Sequence, residues 1–383
     1  MFALIIYDIE KVDDILGIND QKCILSYHEN LPSINGLLKN KEATNVKLGR
    51  HKSGKIVVLT GGTTGEFKSA SRKPSLINFI NPFFALLTDI NIDRYHSIYI
   101  STPIYHGFGL ASLIVSTLLG SEQFIIRKYK TEEACKLIRE NKIEAVILVP
   151  LMLQRMLKHD KNALDSLKSI LSGGAPLESN LVRYTLQQLG DVLYNLYGTS
   201  EAGFSILAKP KDLRIYPTTI GKPIRGVSIR IVNKNQQEAK QGTVGMICIK
   251  SNWVMDSKSN RWVPTGDLGY IEKDGFVFLR GRSDSMIISG GENVYPEELE
   301  EVLMQNELIE SCAVIGISDV EFGQRLKAFV VLKEKSDLTE DKILKWLLDK
   351  VARYQIPAQI RIIDLLPMSS TGKIDKKQLL RLE

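Results

Sequence analysis

Short apolar runs closed by glycine or proline alternate with longer amphipathic stretches along this chain. Lys55 to Thr60 (KIVVLT) is rich in β-branched residues and ends in glycines, which predicts a buried strand entering a tight loop. Glu144 to Pro150 (EAVILVP) predicts a fully apolar strand, and Asp191 to Tyr197 a further strand running into a loop. Thr131 to Asn141 sets Ala134, Leu137 and Ile138 on one helical face, with Thr131 as N-cap and Glu132 and Glu133 in the first turn. The longest apolar stretch, Gly107 to Gly120, is too short to span a bilayer and reads as a buried helix. Strand-helix alternation of this kind predicts α/β layers around parallel strands.

The pattern changes near residue 205. From there to Arg282 the predicted strands are short and turns are frequent (Lys222-Pro223, Arg225-Gly226, Gly242, Gly245, Asp274-Gly275), which reads as an antiparallel β subdomain. A polar junction follows, and then a smaller α+β unit. It is expected to comprise a helix over Pro296 to Gln305, strands at Cys312 to Ile317 and Lys327 to Leu332, a helix over Thr339 to Arg353 and a strand at Ile360 to Ile363. The boundary is expected at about Arg282 to Ser285.

Composition narrows the class. With 383 residues, 44% hydrophobic and 25% charged, the chain reads as an ordinary globular protein of more than one domain. A net charge of +6 spread along the chain reads as a solvated surface and not as a nucleic-acid face, though it suits polyanionic ligands. The four cysteines are far apart, with no metal spacing and no disulfide framework, as in a reducing cytosol. Met1 to Tyr7 is apolar but runs at once into Asp8 and Glu10, with no basic leader, so it does not read as a signal peptide. A cytoplasmic protein with no transmembrane segment is expected.

Six segments carry candidate chemistry. Thr60-Gly61-Gly62-Thr63-Thr64-Gly65-Glu66-Phe67-Lys68 joins inward-turning backbone N–H groups, hydroxyls and a lysine, a combination that can hold a triphosphate; it lacks the Walker spacing, and a plain Gly/Thr turn stays open. Gly173-Gly174-Ala175-Pro176 puts small residues at a strand end, where a flat base can approach the backbone. Tyr197-Gly198-Thr199-Ser200-Glu201 offers a ring, a hydroxyl and a carboxylate for a base, a phosphate and a hard cation such as Mg2+. Asp267 and Arg282 can accept from and donate to a ribose. Gly290-Gly291 opens a loop before an acidic helix start, where an extended ligand can pass close to the backbone. Lys373, after a Ser/Thr/Gly stretch, can reach a distant site as a point charge; a charged tail is the plain alternative.

In this order the motifs TGGTTGEFK, YGTSEAG, TGDLGY, GRSDSMIISGGENVYPEELE and TGKIDKKQL resemble the adenylate-forming (AMP-binding) superfamily, in its acyl-CoA synthetase branch, over about Val57 to Leu380. The resemblance implies an AMP-binding domain over 1–282, with a β subdomain at about 205–282, and a mobile C-terminal domain over 283–383. It implies ATP, Mg2+ and coenzyme A as ligands. Thr60 to Lys68 would hold the ATP tail, and Gly173 to Pro176 with Tyr197 the adenine. Thr199 and Glu201 would meet the phosphates and Mg2+, Asp267 and Arg282 the ribose. Asp284 falls at the hinge, and Lys373 matches the lysine that bridges the acid and the α-phosphate. Rotation would then bring Gly290 and Gly291 to line the thiol's path. Thr102 to Gly109 resembles the segment whose histidine, here His106, borders the acyl pocket.

The resemblance suggests a fatty acid first, with Leu110 to Leu119 walling an alkyl pocket, and an aryl or succinylbenzoate-type acid as the alternative. In the phosphate loop Gly61 stands where the family has serine, Phe67 where it has proline and Ser69 where it has glycine. The loop also comes early, so the chain is expected to lack part of the usual first subdomain and to leave apolar surface or a sheet edge open. A fragment, self-pairing, a carrier-protein partner, or an idle nucleotide- or acyl-binding remnant follow as alternatives.

Overall fold

A computed structural model describes residues 5–7, 23–25, 56–61, 67–72, 76–104, 106–126, 129–233, 235–254, 261–289, 292–333, 336–369 and 373–382. The chain divides into two compact units, residues 1–57 with 71–74, and residues 58–70 with 75–383. In the first, β1 (Ile5–Tyr7) pairs in parallel with β2 (Cys23–Leu25). Two further strands, β3 (Ile56–Gly61) and β4 (Phe67–Arg72), pair with each other.

The second unit is built on a large mixed sheet. Its strands β5 (Ser97–Ile100), β6 (Glu122–Phe124), β7 (Ala145–Leu148), β8 (Ser169–Gly173) and β9 (Leu193–Thr199) run in parallel. β5, β7 and β8 are buried at every position, and β7 accordingly reads as an unbroken apolar run, while β5 and β8 also bury serines. Their side chains still sort by twos. Tyr99, Val146, Leu148 and Ile170 face the helices α3 (Thr131–Asn141), α4 (Pro150–Asp160) and α5 (Ser179–Leu189). Ile98, Ile100, Ile147 and Leu171 face the opposite core, which includes Ala85 of α1 (Leu76–Ala85) and partly buried residues of α2 (Gly107–Leu119).

From β9 the sheet continues without a break into antiparallel strands. These are β10 (Gly203–Ala208), β11 (Thr219–Pro223), β12 (Ser228–Val232), β13 (Gly245–Lys250), β14 (Val263–Ile271) and β15 (Val277–Arg282). The eleven strands lie in the order β12-β13-β14-β15-β11-β10-β9-β8-β7-β5-β6. The expected antiparallel region is therefore the extension of the parallel sheet.

The small C-terminal domain has its own sheet of β16 (Ile287–Ser289), β17 (Glu292–Val294), β18 (Ile309–Asp319), β19 (Gly323–Leu332) and β20 (Gln359–Ile362). Its helices α7 (Pro296–Leu303) and α8 (Glu340–Leu348) bury Leu299, Leu303, Ile343 and Leu347 against Val314, Leu326, Ala328 and Val330. Phe329, Val331 and Ala313 point to the other face, onto Leu366 and Leu379. The large domain carries one more short helix, α6 (Pro210–Ile215), and the small one ends in α9 (Lys376–Leu379).

Three local expectations need correction. Lys130, not Thr131, is the N-cap of α3, with no side-chain capping bond; its ammonium instead pairs with Glu133 at 2.6 Å. The apolar helix α2 is not a buried one: it buries only Gly109 and Ser116, and Leu118 is 66% exposed. An apolar composition sets what a helix can bury, but its neighbours decide what it does bury. The helix expected to reach Arg353 stops at Leu348, and a separate turn spans Arg353–Gln355. Thr339 does cap α8, accepting from the Lys342 N–H at 3.3 Å. Among the described residues no helix is long and apolar enough to cross a membrane.

Candidate functional site

The carboxyl ends of parallel strands are where α/β sheets gather ligands, because loops there diverge and leave a crevice. Several of the sequence candidates lie at such ends. Gly173 closes β8, and Gly174, Ala175 and Pro176 follow it. Gly173 pairs with Leu196 of β9, so this segment lies beside Tyr197. A Cβ at Gly173 would stand 2.8 Å from the Leu196 carbonyl oxygen and 3.3 Å from the Phe108 ring, so only glycine fits there. The same contact brings the segment after β5, with His106 and Phe108, against the small-residue turn.

Thr199 ends β9, and a tight turn leads from it to Gly203 of β10. The Thr199 hydroxyl accepts from the Ala202 N–H at 3.0 Å, which shapes the turn that presents Glu201. Gly198 lies within the same hairpin, paired with Phe204.

Asp267 on β14 and Arg282 on β15 are register partners across the sheet. The Asp267 carboxylate accepts from the Tyr197 hydroxyl at 2.6 Å and from Arg282 Nη1 at 3.0 Å. Arg282 also forms a two-pronged bond to Asp284, with Nε 2.8 Å and Nη2 3.1 Å from its carboxylate oxygens. The ring of Tyr197 is 8% exposed and packs in the core with Ala202, Ile206 and Ile247. Its hydroxyl is thus a fixed support for Asp267. Burial raises the Asp267 carboxyl above its ordinary range, against the pull of Tyr197 and Arg282. Burial, and then the Asp267 charge, keep the Tyr197 phenol protonated far beyond its usual range.

Lys373 belongs to a hairpin of the small domain. Met368 bridges Ile374, the Ser369 N–H donates to the Lys373 carbonyl at 2.7 Å, and the Lys373 N–H donates to the Ser369 hydroxyl at 3.2 Å. The residue keeps exposed surface, yet its packed surroundings, and next the Arg282 charge, lower its pKa, while Asp267 pulls the other way. His106, half-buried at the N-cap of α2, has its pKa lowered by burial and then by Lys373. A cation far along the chain therefore shares one electrostatic neighbourhood with Asp267, Arg282 and His106. Lys373 thus adds a cation to a neighbourhood in which Arg282 is already paired with Asp267 and Asp284.

Other candidates fall elsewhere. Thr60 and Gly61 end β3 and Lys68 lies in β4. Gly62, Thr63, Thr64, Gly65, Gly290 and Gly291 lie outside the described residues. Among the described residues, no group of three or more His, Cys, Asp or Glu gathers as a metal site. Cys135, Cys248 and Cys312 are buried free thiols. An open groove of about 430 Å³ on the small domain, lined by Lys327, Glu340, Leu344 and Arg361, includes none of these candidates.

Two features escaped sequence reasoning. The Tyr197–Asp267 bond joins residues 70 apart, and no local pattern marks it. Lys376 anchors the Lys373 hairpin: its ammonium is 3.1 Å from Glu300 Oε1 and 3.1 Å from the Val314 carbonyl oxygen. The lysine lies in the TGKIDKKQL motif, but its partners appear only in three dimensions.

Comparisons with known proteins place the chain in a family. The family model described as AMP-binding enzyme matches residues 4–257, and that of the AMP-binding enzyme C-terminal domain matches 298–373. A 2-succinylbenzoate–CoA ligase of Lactococcus lactis subsp. lactis (strain IL1403) is 30% identical over 331 residues, 85% of this chain and 70% of that protein. One from Staphylococcus aureus (strain MSSA476) is 30% identical over 336 residues, 85% of this chain and 66% of that protein. The chain thus spans about two thirds of the length of these curated relatives. Among solved structures, ATP-bound MatB from Rhodopseudomonas palustris superposes with a TM-score of 0.84 at 24% identity, covering 98% of this chain and 78% of that one. The o-succinylbenzoate CoA synthetase MenE of Bacillus subtilis, in complex with the acyl-adenylate OSB-AMP, gives 0.80 at 23%, covering 96% and 80%. At such identities these two establish the fold, a large α/β domain followed by a small one. With both family models matched in order along it, and CoA ligases among its relatives, the chain belongs to the AMP-binding enzymes of the adenylate-forming superfamily.

Proposed function

We propose that this chain activates a carboxylic acid with ATP to an acyl-adenylate and transfers the acyl group to the thiol of coenzyme A. One observation supports the reading: Lys373, though it comes from the small domain, lies within electrostatic reach of Asp267, Arg282 and His106. In the first step a carboxylate oxygen bonds to the α-phosphorus as the bond to pyrophosphate breaks. In the second the thiol sulfur bonds to the acyl carbon, and AMP leaves. Asp267, held by Tyr197, accepts from the ribose hydroxyls, and Arg282 donates to the same sugar or a phosphate. Lys373 draws the acid and the α-phosphate together and offsets their charge. His106, with its pKa lowered, stays neutral at the acyl pocket. Gly173 to Pro176 give the adenine a flat approach, and Thr60 to Lys68 hold the ATP tail.

Glu201 would hold Mg2+. Its single carboxylate on a tight turn fits that ion, which keeps several waters and takes its remaining ligands from nucleotide phosphates. When bound, the ion neutralises phosphate charge. Asp284 acts as the hinge for a small domain beginning at 283, and rotation brings Gly290 and Gly291 to the thiol's path.

The acid is an aromatic one of the succinylbenzoate type. Several relatives bear the name 2-succinylbenzoate–CoA ligase, whereas the fatty-acid expectation leaned on α2. That helix leaves Leu118 and Ile114 exposed. The test is acid-dependent exchange of labelled pyrophosphate into ATP across succinylbenzoate, other aryl acids and fatty acids. Exchange with an aryl acid is expected. No exchange with any acid, despite ATP binding by calorimetry, would return the chain to an idle binding protein. Thioester assays with CoA and with a phosphopantetheinylated carrier separate the two acceptors.

A further inference from the structure

Three contacts tie the small domain to the large one away from every residue assigned above. Gln154 and Lys158 stand one turn apart on α4. Gln154 Nε2 donates to the Glu310 carbonyl oxygen at 2.9 Å, and Lys158 Nζ pairs with the Glu310 carboxylate at 2.7 Å. Near the start of α5, Asn180 Nδ2 donates to the Met304 carbonyl oxygen at 2.5 Å. Met304 is the C-cap of α7, and Glu310 is the second residue of β18.

Those acceptors belong to the body that carries Lys373. Lys376 binds Glu300 of α7 and the Val314 carbonyl of β18, and Lys373 precedes it by one short stretch of the same hairpin. Wherever α7 and β18 are held, Lys373 is held too. We propose that Gln154, Lys158 and Asn180 are positioning residues, forming a releasable latch that docks the small domain with Lys373 at the nucleotide site during adenylate formation. The proposal rests on the ligase reading above and deepens it.

The latch is built to be weak. The Lys158 side chain is 56% exposed and that of Glu310 27%, so water screens their attraction. Two residues before Asn180, the Glu178 carboxyl lies within electrostatic reach of the like charges of Glu300 and Glu301 in the small domain. A contact that combines modest attraction with repulsion suits a domain that must leave after the first step, because a small free-energy difference then shifts the population.

The test uses the full chain with Lys158→Glu, Glu310→Lys and the double reversal. Each single reversal should slow pyrophosphate exchange about three- to tenfold and leave thioester formation from supplied acyl-adenylate unchanged; the double reversal should regain most of the loss. A second readout needs no turnover: Asn180→Cys with Met304→Cys, joined by a short thiol cross-linker with ATP present. Cross-linking should fall in each single reversal and recover in the double. Unchanged exchange and cross-linking overturn the latch, as do equal losses in both half-reactions without recovery. If the unaltered chain forms no adenylate with any acid, the ligase reading falls, and the cross-linking alone decides whether the latch exists.

Discussion

Replacing Tyr197 with phenylalanine removes one oxygen from a packed site and leaves the ring in place. In the structure that oxygen donates to Asp267 at 2.6 Å, and the only other side-chain donor described on this carboxylate is Arg282. The Asp267 side chain is 13% exposed, so water replaces the lost donor poorly. A hydrogen bond to a charged group contributes about 1.5–3 kcal/mol, roughly tenfold to hundredfold in an equilibrium. The bond favours the ionised carboxylate, the form that the proposed ribose contact requires. Burial already raises the Asp267 pKa, and Tyr197 opposes that rise. Tyr197→Phe should therefore move the pKa further up, so that ATP use fails at a higher pH than in the unaltered chain. The assay is the pH profile of kcat/KM for ATP in pyrophosphate exchange, with thermal melts at each pH to exclude unfolding. The acid limb should move toward neutrality, and ATP use near pH 7 should fall by roughly ten- to a hundredfold. An acid limb that stays in place, with KM for ATP unchanged, would refute the role given to this hydroxyl.

Lys373→Ala should suppress adenylate formation by at least about a hundredfold while sparing thioester formation from supplied acyl-adenylate; equal losses would contradict domain rotation. The Glu178 carboxyl, though its side chain is exposed, is pushed up to about 7 by its packed surroundings and by Glu300 and Glu301. Its pKa is raised in the docked arrangement, so protonation favours docking below about 7 and ionisation opposes it above. The ratio of exchange to thioester rates should rise as pH falls from roughly 8 to 6, and Glu178→Gln should make that ratio high and flat, as read in both half-reaction assays. Gly221 has φ +100°, and a Cβ there would stand 2.0 Å from the Leu207 carbonyl oxygen. Gly221→Ala should cost about 2–5 kcal/mol or prevent soluble expression, checked by thermal melting.

Much of this protein was legible along the chain. Runs such as Glu144 to Pro150 announced strands buried on both faces, and their order with the helices announced an α/β fold. The candidate nucleotide motifs were readable because each is a short segment whose residues lie near one another, as Thr199 and Glu201 do on one turn. Helix ends were read less well. Thr131 has the chemistry of a cap, but the chain enters the helix one residue earlier, at Lys130.

The tertiary structure decided what depends on distant neighbours. Only it joined the antiparallel strands to the parallel sheet, left α2 largely uncovered, set Tyr197 beneath Asp267 and docked Glu310 on Lys158. The sequence by itself determined secondary structure, motif order and family, because periodicity and turn chemistry are properties of adjacent residues. Which groups meet across 70 or 152 positions is set by how the packed elements close on one another, and no local pattern encodes that.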